Sequence, residues 1–274
     1  MIDLHLHTTA SDGRLTAVEL VARAAAAGVT VMAATDHDTT AATADVTRAA
    51  RARGMEAISG IEITAVEMER DVHVLGYFVD PDETRLSSFL AIQRGRRIER
   101  VEIIARRLAG LGLPVDMRAD LEDARRNSGR SIGRPQVARA MIAAGHVRDT
   151  REAFESWLAS DRPGFVPREG AAVADVVATI HAAGGLASLA HPGKSRVDPR
   201  IPEFVAAGLD AIEAFHPEHT PAERERYARL ARDLGVLTTG GSDFHGDPAH
   251  GVEPGIVSLP QDEWQRLQTG RLRA

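Results

Sequence analysis

The chain has 274 residues, 43% hydrophobic and 26% charged, enough to bury one large domain or one domain with an appendage. That balance excludes a disordered chain, and no long uncharged apolar run reads as a membrane helix. The net charge of −6 argues against general binding to polyanions, and the absence of cysteine excludes disulfides, thiolate metal sites and cysteine nucleophiles. The N-terminus shows no basic stretch leading into an apolar core, so a cytoplasmic protein with no membrane partner is expected.

In chain order, "IDLHLH" reads as a strand and "TAVELVARAAAAG" as a helix, opened by a Thr16–Glu19 capping box and stopped at Gly28. "VMAAT" reads as a buried strand, "AATADVTRAARARG" as a helix ending at Gly54, and "EAISGIEITA" and "DVHVLGYFV" as two more strands. From about Glu83 to about Arg168 no strand pattern occurs. Ile98, Val101, Ala105 and Leu108 recur there at helical spacing, and "GRPQVARAMIAAGHV" and "TREAFESWLAS" follow. Alternation resumes through "GGLASLAHPG", "GLDAIEAF", "ERERYARLARDLG", "VLTTGGSDFH" and "GIVSLP". The rhythm predicts an α/β fold with a largely parallel sheet closed as a barrel, built from residues 1–82 and 169–274. Residues 83–168 are expected to form a helical insertion over its mouth.

Alternation places Asp3, His5 and His7 on one face of the first strand, with the two imidazoles about 7 Å apart at Cα, close enough to converge on one cation. "TDHD" offers Asp36, His37 and Asp38 at a strand end, and "GIEIT" buries Glu62 where an ionised carboxylate is costly without a cation or donor. His73 lies between two valines, His191 before a turn proline, and Asp243 and His245 at another strand end. Taken singly, each has an ordinary explanation as a hydrogen-bonded core histidine or a helix cap. Taken together, these histidines and carboxylates at strand ends would crowd one barrel mouth and need cations to be tolerated there.

The ordered set "DLHLHTTASDG", "ATDHD", "GIEIT", "DVHVLG", "LAHPG" and "GGSDFH" resembles the PHP (polymerase and histidinol phosphatase) family, and spans residue 2 to about residue 246. The resemblance implies a distorted (β/α)7 barrel with up to three divalent metal ions at its mouth. The first ion would be held by His5, His7, Glu62 and Asp243, and the second by Glu62, His73 and His191. The third would be held by Asp12, His37 and His245, where the hard oxygen of Asp12 favours Mn²⁺ or Fe²⁺ over Zn²⁺. Asp3 is a candidate to orient these ligands or to bond the backbone. Such ions acidify a water and neutralise phosphate oxygens, with Asp243 and His245 as the catalytic residues.

Within the family the chain resembles the nucleotide-acting, 3′,5′-bisphosphonucleoside type. The implied substrates are small phosphomonoesters, or the 5′ end of a short single-stranded oligonucleotide; histidinol phosphate is the second choice, and no obligate protein partner is evident. Arg134 and Lys194 are candidate phosphate contacts, and His216 and His219 either line the pocket or lie in a solvated loop. "RGRRIERVEIIARR" is expected to be a solvated helix face supported by a Glu102–Arg106 pair. A non-catalytic binding module is the reading of another class, although all nine ligand positions are filled. An amide hydrolase would need a lysine at a barrel strand end, and none is placed there.

Overall fold

The computed structural model describes residues 1–127, 129–248 and 251–271. The barrel half of the chain runs β1 (Ile2–Leu6), α1 (Ala17–Ala26), β2 (Val31–Ala34), α2 (Thr43–Arg51), β3 (Glu56–Glu67) and β4 (Arg70–Tyr77). The arm follows with α3 (Thr84–Gly110), α4 (Arg118–Arg126), α5 (Arg134–Ala143) and α6 (Thr150–Ala153), which continues into a π-helical turn at Phe154–Leu158. The chain returns through α7 (Val173–Ala182), β5 (Leu186–Leu189), α8 (Pro192–Ser195), α9 (Ile201–Ala206), β6 (Ala211–Phe215), α10 (Pro221–Leu234), β7 (Leu237–Gly240) and α11 (Gln261–Arg271). None of the described helices is long and apolar enough to cross a membrane.

The seven strands lie side by side in sequence order. Pairing is parallel from β1 to β3 and from β5 to β7, but β4 runs antiparallel to both neighbours. The reversal comes from a tight turn at Met68 and Glu69, both at positive φ (49° and 62°), as a two-residue hairpin requires. His73 therefore lies in the body of a strand, opposite Thr64. The two sheet edges meet at a parallel bridge between Leu6 and Phe244, where the His7 amide donates to the Phe244 carbonyl at 2.9 Å. This closes the seven-stranded barrel at the mouth. Gly241 permits the approach, since a Cβ there would lie 2.3 Å from the His5 nitrogen.

The expected capping box is present: Thr16 accepts from the Glu19 amide and Glu19 from the Thr16 amide, with Gly28 at φ 84° beyond the helix end. "GIVSLP" is not a strand. Gly255 turns the chain at φ 74° and gives its amide to Asp3, leaving a single ladder-like bond from the Leu259 amide to Ile2. The 27-residue α3 is about 40 Å long and serves two cores. Leu86 and Leu90 pack with Val173 and Ile180 against the barrel, while Val101, Ile104 and Leu108 pack with Ile132, Val137, Met141 and Leu158 in the arm.

Candidate metal centre

The mouth of the barrel gathers side chains from almost every strand. His5 sits in β1, and His7 and Asp12 follow it; His37 follows β2; Glu62 and His73 lie in β3 and β4; His191 follows β5, and Asp243 and His245 follow β7. Asp36 fixes the loop that carries Asp12, accepting from the Thr8 amide (2.8 Å), the Thr8 hydroxyl (2.6 Å) and the Ser11 hydroxyl (2.6 Å). His191 and Asp243 hold left-handed backbone conformations (φ 26° and 53°), strain of the kind concentrated at functional sites.

All nine expected positions converge. His5 Nε2 lies 3.4 Å from Glu62 Oε2 and 3.3 Å from Asp243 Oδ1, and His7 Nε2 lies 3.3 Å from both oxygens. A tetrahedral ion with bonds of about 2.1 Å has ligand–ligand edges of about 3.4 Å, so these four atoms are spaced as a coordination shell. Asp12 Oδ1 lies 3.3 Å from His245 Nε2, and its Oδ2 3.5 Å from His37 Nε2. Glu62 Oε1 lies 2.7 Å from His73 Nδ1 and 3.1 Å from His191 Nε2, while its Oε2 also meets His37 Nδ1 at 3.0 Å. Glu62 thus touches five imidazoles.

The buried atoms His5 Nε2, His7 Nδ1 and Nε2, His37 Nδ1, His73 Nδ1 and Glu62 Oε2 have no hydrogen-bond partner. Leaving so many buried polar atoms unpaired is costly, and divalent cations are what this donor set fits.

Neighbouring groups aim the ligands. His5 donates Nδ1–H to Glu213 at 2.9 Å, which leaves Nε2 as a lone pair toward Glu62 and Asp243. The other Glu213 oxygen accepts the His191 amide at 2.8 Å. His245 donates Nδ1–H to the Asp243 carbonyl at 2.8 Å, which frees Nε2 toward Asp12. Asp3 does not touch an imidazole; it takes the backbone amides of His5, Ser242 and Gly255. Glu213 therefore holds the orienting position, and its place in the apolar run "DAIEAF" carries the same signal that singles out Glu62.

Charge follows geometry. Burial pushes His37 down to about 3 and His191 down to about 4, which favours the neutral form of both imidazoles. Burial also opposes charge on His7, but Asp243 and Glu62 raise it to about 10. Burial would raise Glu62, Asp12 and Asp243, yet the surrounding histidines hold all three carboxyls well below their ordinary range, with Lys194 adding to the effect at Asp243.

A cavity of about 290 Å³ opens from this cluster and runs under the arm. Lys194 stands at its edge, 3.3 Å from Asp243 Oδ2 and 2.9 Å from Glu218. His216 is buried and faces the same Asp243 oxygen at 3.4 Å. His219 lies one layer behind: it donates Nδ1–H to the Ala214 carbonyl and accepts the Gly193 amide, so it supports the loop after His191 instead of lining the pocket. Neither histidine is in a solvated loop.

Arg134 lines the cavity but is engaged with Asp71 (3.2 Å) and the Leu158 carbonyl (3.2 Å). The arginine-rich stretch of α3 is not a solvated face, because Arg97 and Arg100 are buried and line the cavity beside Arg168. Arg94, Arg97 and Arg100 recur every third residue and share the inward stripe, while Arg96 and Glu99 face out. Glu102 pairs with Arg125 of α4 and not with Arg106.

A model of the PHP domain matches residues 3–156. The chain is 32% identical to the 3′,5′-nucleoside bisphosphate phosphatase of Chromobacterium violaceum, over 99% of this chain and 98% of that one. It is 35% identical to the 5′-3′ exoribonuclease Rnm of Escherichia coli, over 92% of this chain and 87% of that one. The structure superposes, with a TM-score of 0.88 and 32% identity, on a chain from Bifidobacterium adolescentis assigned provisionally as a metal-dependent phosphoesterase, covering 97% of this chain and 94% of that one. With its motif order, barrel and histidine–carboxylate cluster in agreement with these matches, the chain belongs to the PHP domain family.

Proposed function

We propose that the cluster holds up to three divalent ions, Mn²⁺ first with Fe²⁺ or Zn²⁺ as alternatives, and that the chain hydrolyses phosphomonoesters of nucleotides. The enzyme is a metal-dependent phosphoesterase, as its relatives' names support. The observation that carries the reading is the convergence of unpartnered His5, His7, His37, His73 and Glu62 atoms on one mouth. The preferred substrate is a 3′,5′-bisphosphonucleoside. The 5′ end of a short oligonucleotide presents the same 5′-phosphate, sugar and 3′-phosphoester, which reconciles a phosphatase and an exoribonuclease among the relatives.

Bound ions would supply Lewis acidity and a water acidic enough to attack phosphorus. The chain's own residues do the rest. His5, His7, Glu62 and Asp243 hold the first ion, Glu62, His73 and His191 the second, and Asp12, His37 and His245 the third. Hydrolysis forms one P–O bond and breaks another, so one proton must leave the attacking water and one must reach the departing oxygen. Asp243 takes the first, with Lys194 and His216 beside its outer oxygen, and solvent water in the open cavity supplies the second to the departing oxygen. Lys194 at the cavity edge is placed to meet the phosphoryl oxygens. Residues 83–168 act as the arm that roofs the cavity.

Histidinol phosphate is disfavoured. Among the described residues lining the cavity, the carboxylates are Asp12, Glu62 and Asp243 of the cluster and Asp71 between arginines, so none is free for an amine. The test is one panel: chelator-stripped protein reloaded with Mn²⁺ and assayed for release of phosphate or nucleotide from bisphosphonucleosides, mononucleotides, histidinol phosphate and short 5′-phosphorylated RNA. Turnover of the bisphosphonucleosides and the RNA is expected. A metal-loaded protein active on none of the four would instead be a binding module.

A further inference from the structure

The arm side of the cavity carries more positive charge than it neutralises. Arg97, Arg100, Arg134 and Arg168 line it, and the carboxylates that meet them are Asp38 and Asp71. Arg97 is committed to Asp38 and the Thr64 hydroxyl, and Arg134 to Asp71 and the Leu158 carbonyl. Arg100 gives Nε–H to the Val166 carbonyl and meets Asp71 at 3.4 Å, but its buried Nη2 has no partner.

Arg168 is the outlier. Its side chain is only 7% exposed, its closest carboxylate oxygens stand off at 3.6 and 3.7 Å, and its buried Nε makes no hydrogen bond. Burial, with Arg97 adding to it, pushes its pKa down to about 9. A buried guanidinium normally spends its donors on anions or carbonyls, because leaving them unpaired in a low dielectric is expensive. Four guanidiniums against two carboxylates leave a surplus of two positive charges, which matches the dianion of a phosphate monoester.

We propose that Arg168 and Arg100, backed by Arg134, form a subsite for a second, non-scissile phosphate of the substrate. Asp71, which these guanidiniums meet, and His73 of the cluster lie on one face of β4 about 7 Å apart at Cα, and both line the same cavity, so the subsite adjoins the cation cluster. Asp71 gathers Arg100, Arg134 and Arg168 around one carboxylate, at 3.4, 3.2 and 3.6 Å. The assignment rests on the phosphoesterase reading above and names the group that sets its preference for doubly phosphorylated nucleotides.

The experiment compares Mn²⁺-loaded wild type with Arg168→Gln on adenosine 3′,5′-bisphosphate and on the adenosine 3′- and 5′-monophosphates. The wild type should prefer the bisphosphate. The variant should lose about 100-fold in kcat/KM on it, the scale for deleting one partner of a buried charge pair, and change little on the monophosphates. Equal losses on all substrates, or no loss on the bisphosphate, overturn the subsite. A wild type that turns over none of them overturns the phosphoesterase reading instead.

Thermal unfolding gives a readout independent of turnover. Without added anion the Tm of Arg168→Gln should equal or exceed that of wild type, because a like charge leaves the cluster. Sulfate at matched ionic strength should raise the wild-type Tm more than the variant's. A lower Tm with equal sulfate shifts would make Arg168 a structural residue and end the proposal. Arg168→Lys, which keeps the charge but loses the fork, should fall between the two, and it carries the same comparison if the glutamine variant does not fold.

Discussion

At position 5 the imidazole gives its Nδ1 proton to Glu213, 2.9 Å away, and so can offer only Nε2 to a cation. Glu213 is fully buried and also accepts the His191 amide, so both of its oxygens take N–H donors. Glutamine there keeps one acceptor and turns an NH₂ against the other donor. Glu213→Gln should therefore lower Mn²⁺ affinity by about 10- to 100-fold with the fold intact, as read by equilibrium dialysis with elemental analysis. The candidate ligands are legible in the sequence only as a set, because so many histidines and carboxylates at strand ends would crowd one barrel mouth. Glu213 is less legible, since one carboxylate in a strand does not say what it faces. Arg168 is not legible at all: it sits in an irregular stretch where no period tells burial from exposure.

Between elements, the approach of β1 to the segment after β7 depends on a missing side chain. A Cβ at Gly241 would fall 2.3 Å from the His5 nitrogen and 2.5 Å from its Cβ. Gly241→Ala should cost about 3 kcal/mol and displace His5, lowering chemical-denaturation stability and bound Mn²⁺ together. Gly95 of α3 meets nothing within 4 Å, and Gly95→Ala should stabilise by about 0.5–1 kcal/mol in the same measurement. The alternation of strands and helices, the capping box and the helical arm all follow from local pattern. The reversal of β4 does not, because an apolar strand buried on both faces reads the same in either direction. Its signature is the short Met68–Glu69 connection, too brief for a parallel crossover.

Across the whole molecule, α3 ties the two halves together by contributing Leu86 and Leu90 to one core and Val101, Ile104 and Leu108 to the other. Barrel and arm should unfold in one transition, and that transition should respond to metal. Ions that bind the folded chain at about 100 times their dissociation constant add about 2.7 kcal/mol, so chelation should lower the Tm of a single calorimetric peak without splitting it. A separate low-temperature peak for the arm would contradict the coupling through α3. The burial of Arg97 and Arg100 has the same origin: a helix that roofs a charged cavity must turn cations inward, which inverts the usual rule for a surface helix. Glu62 imposes a different constraint, on dissection. With one oxygen against His73 and His191 and the other against His5, His7 and His37, it is the keystone of the mouth. Removing it would disturb all of these imidazoles at once, so the effect of a knockout at that position could not be credited to any one group of candidate ligands.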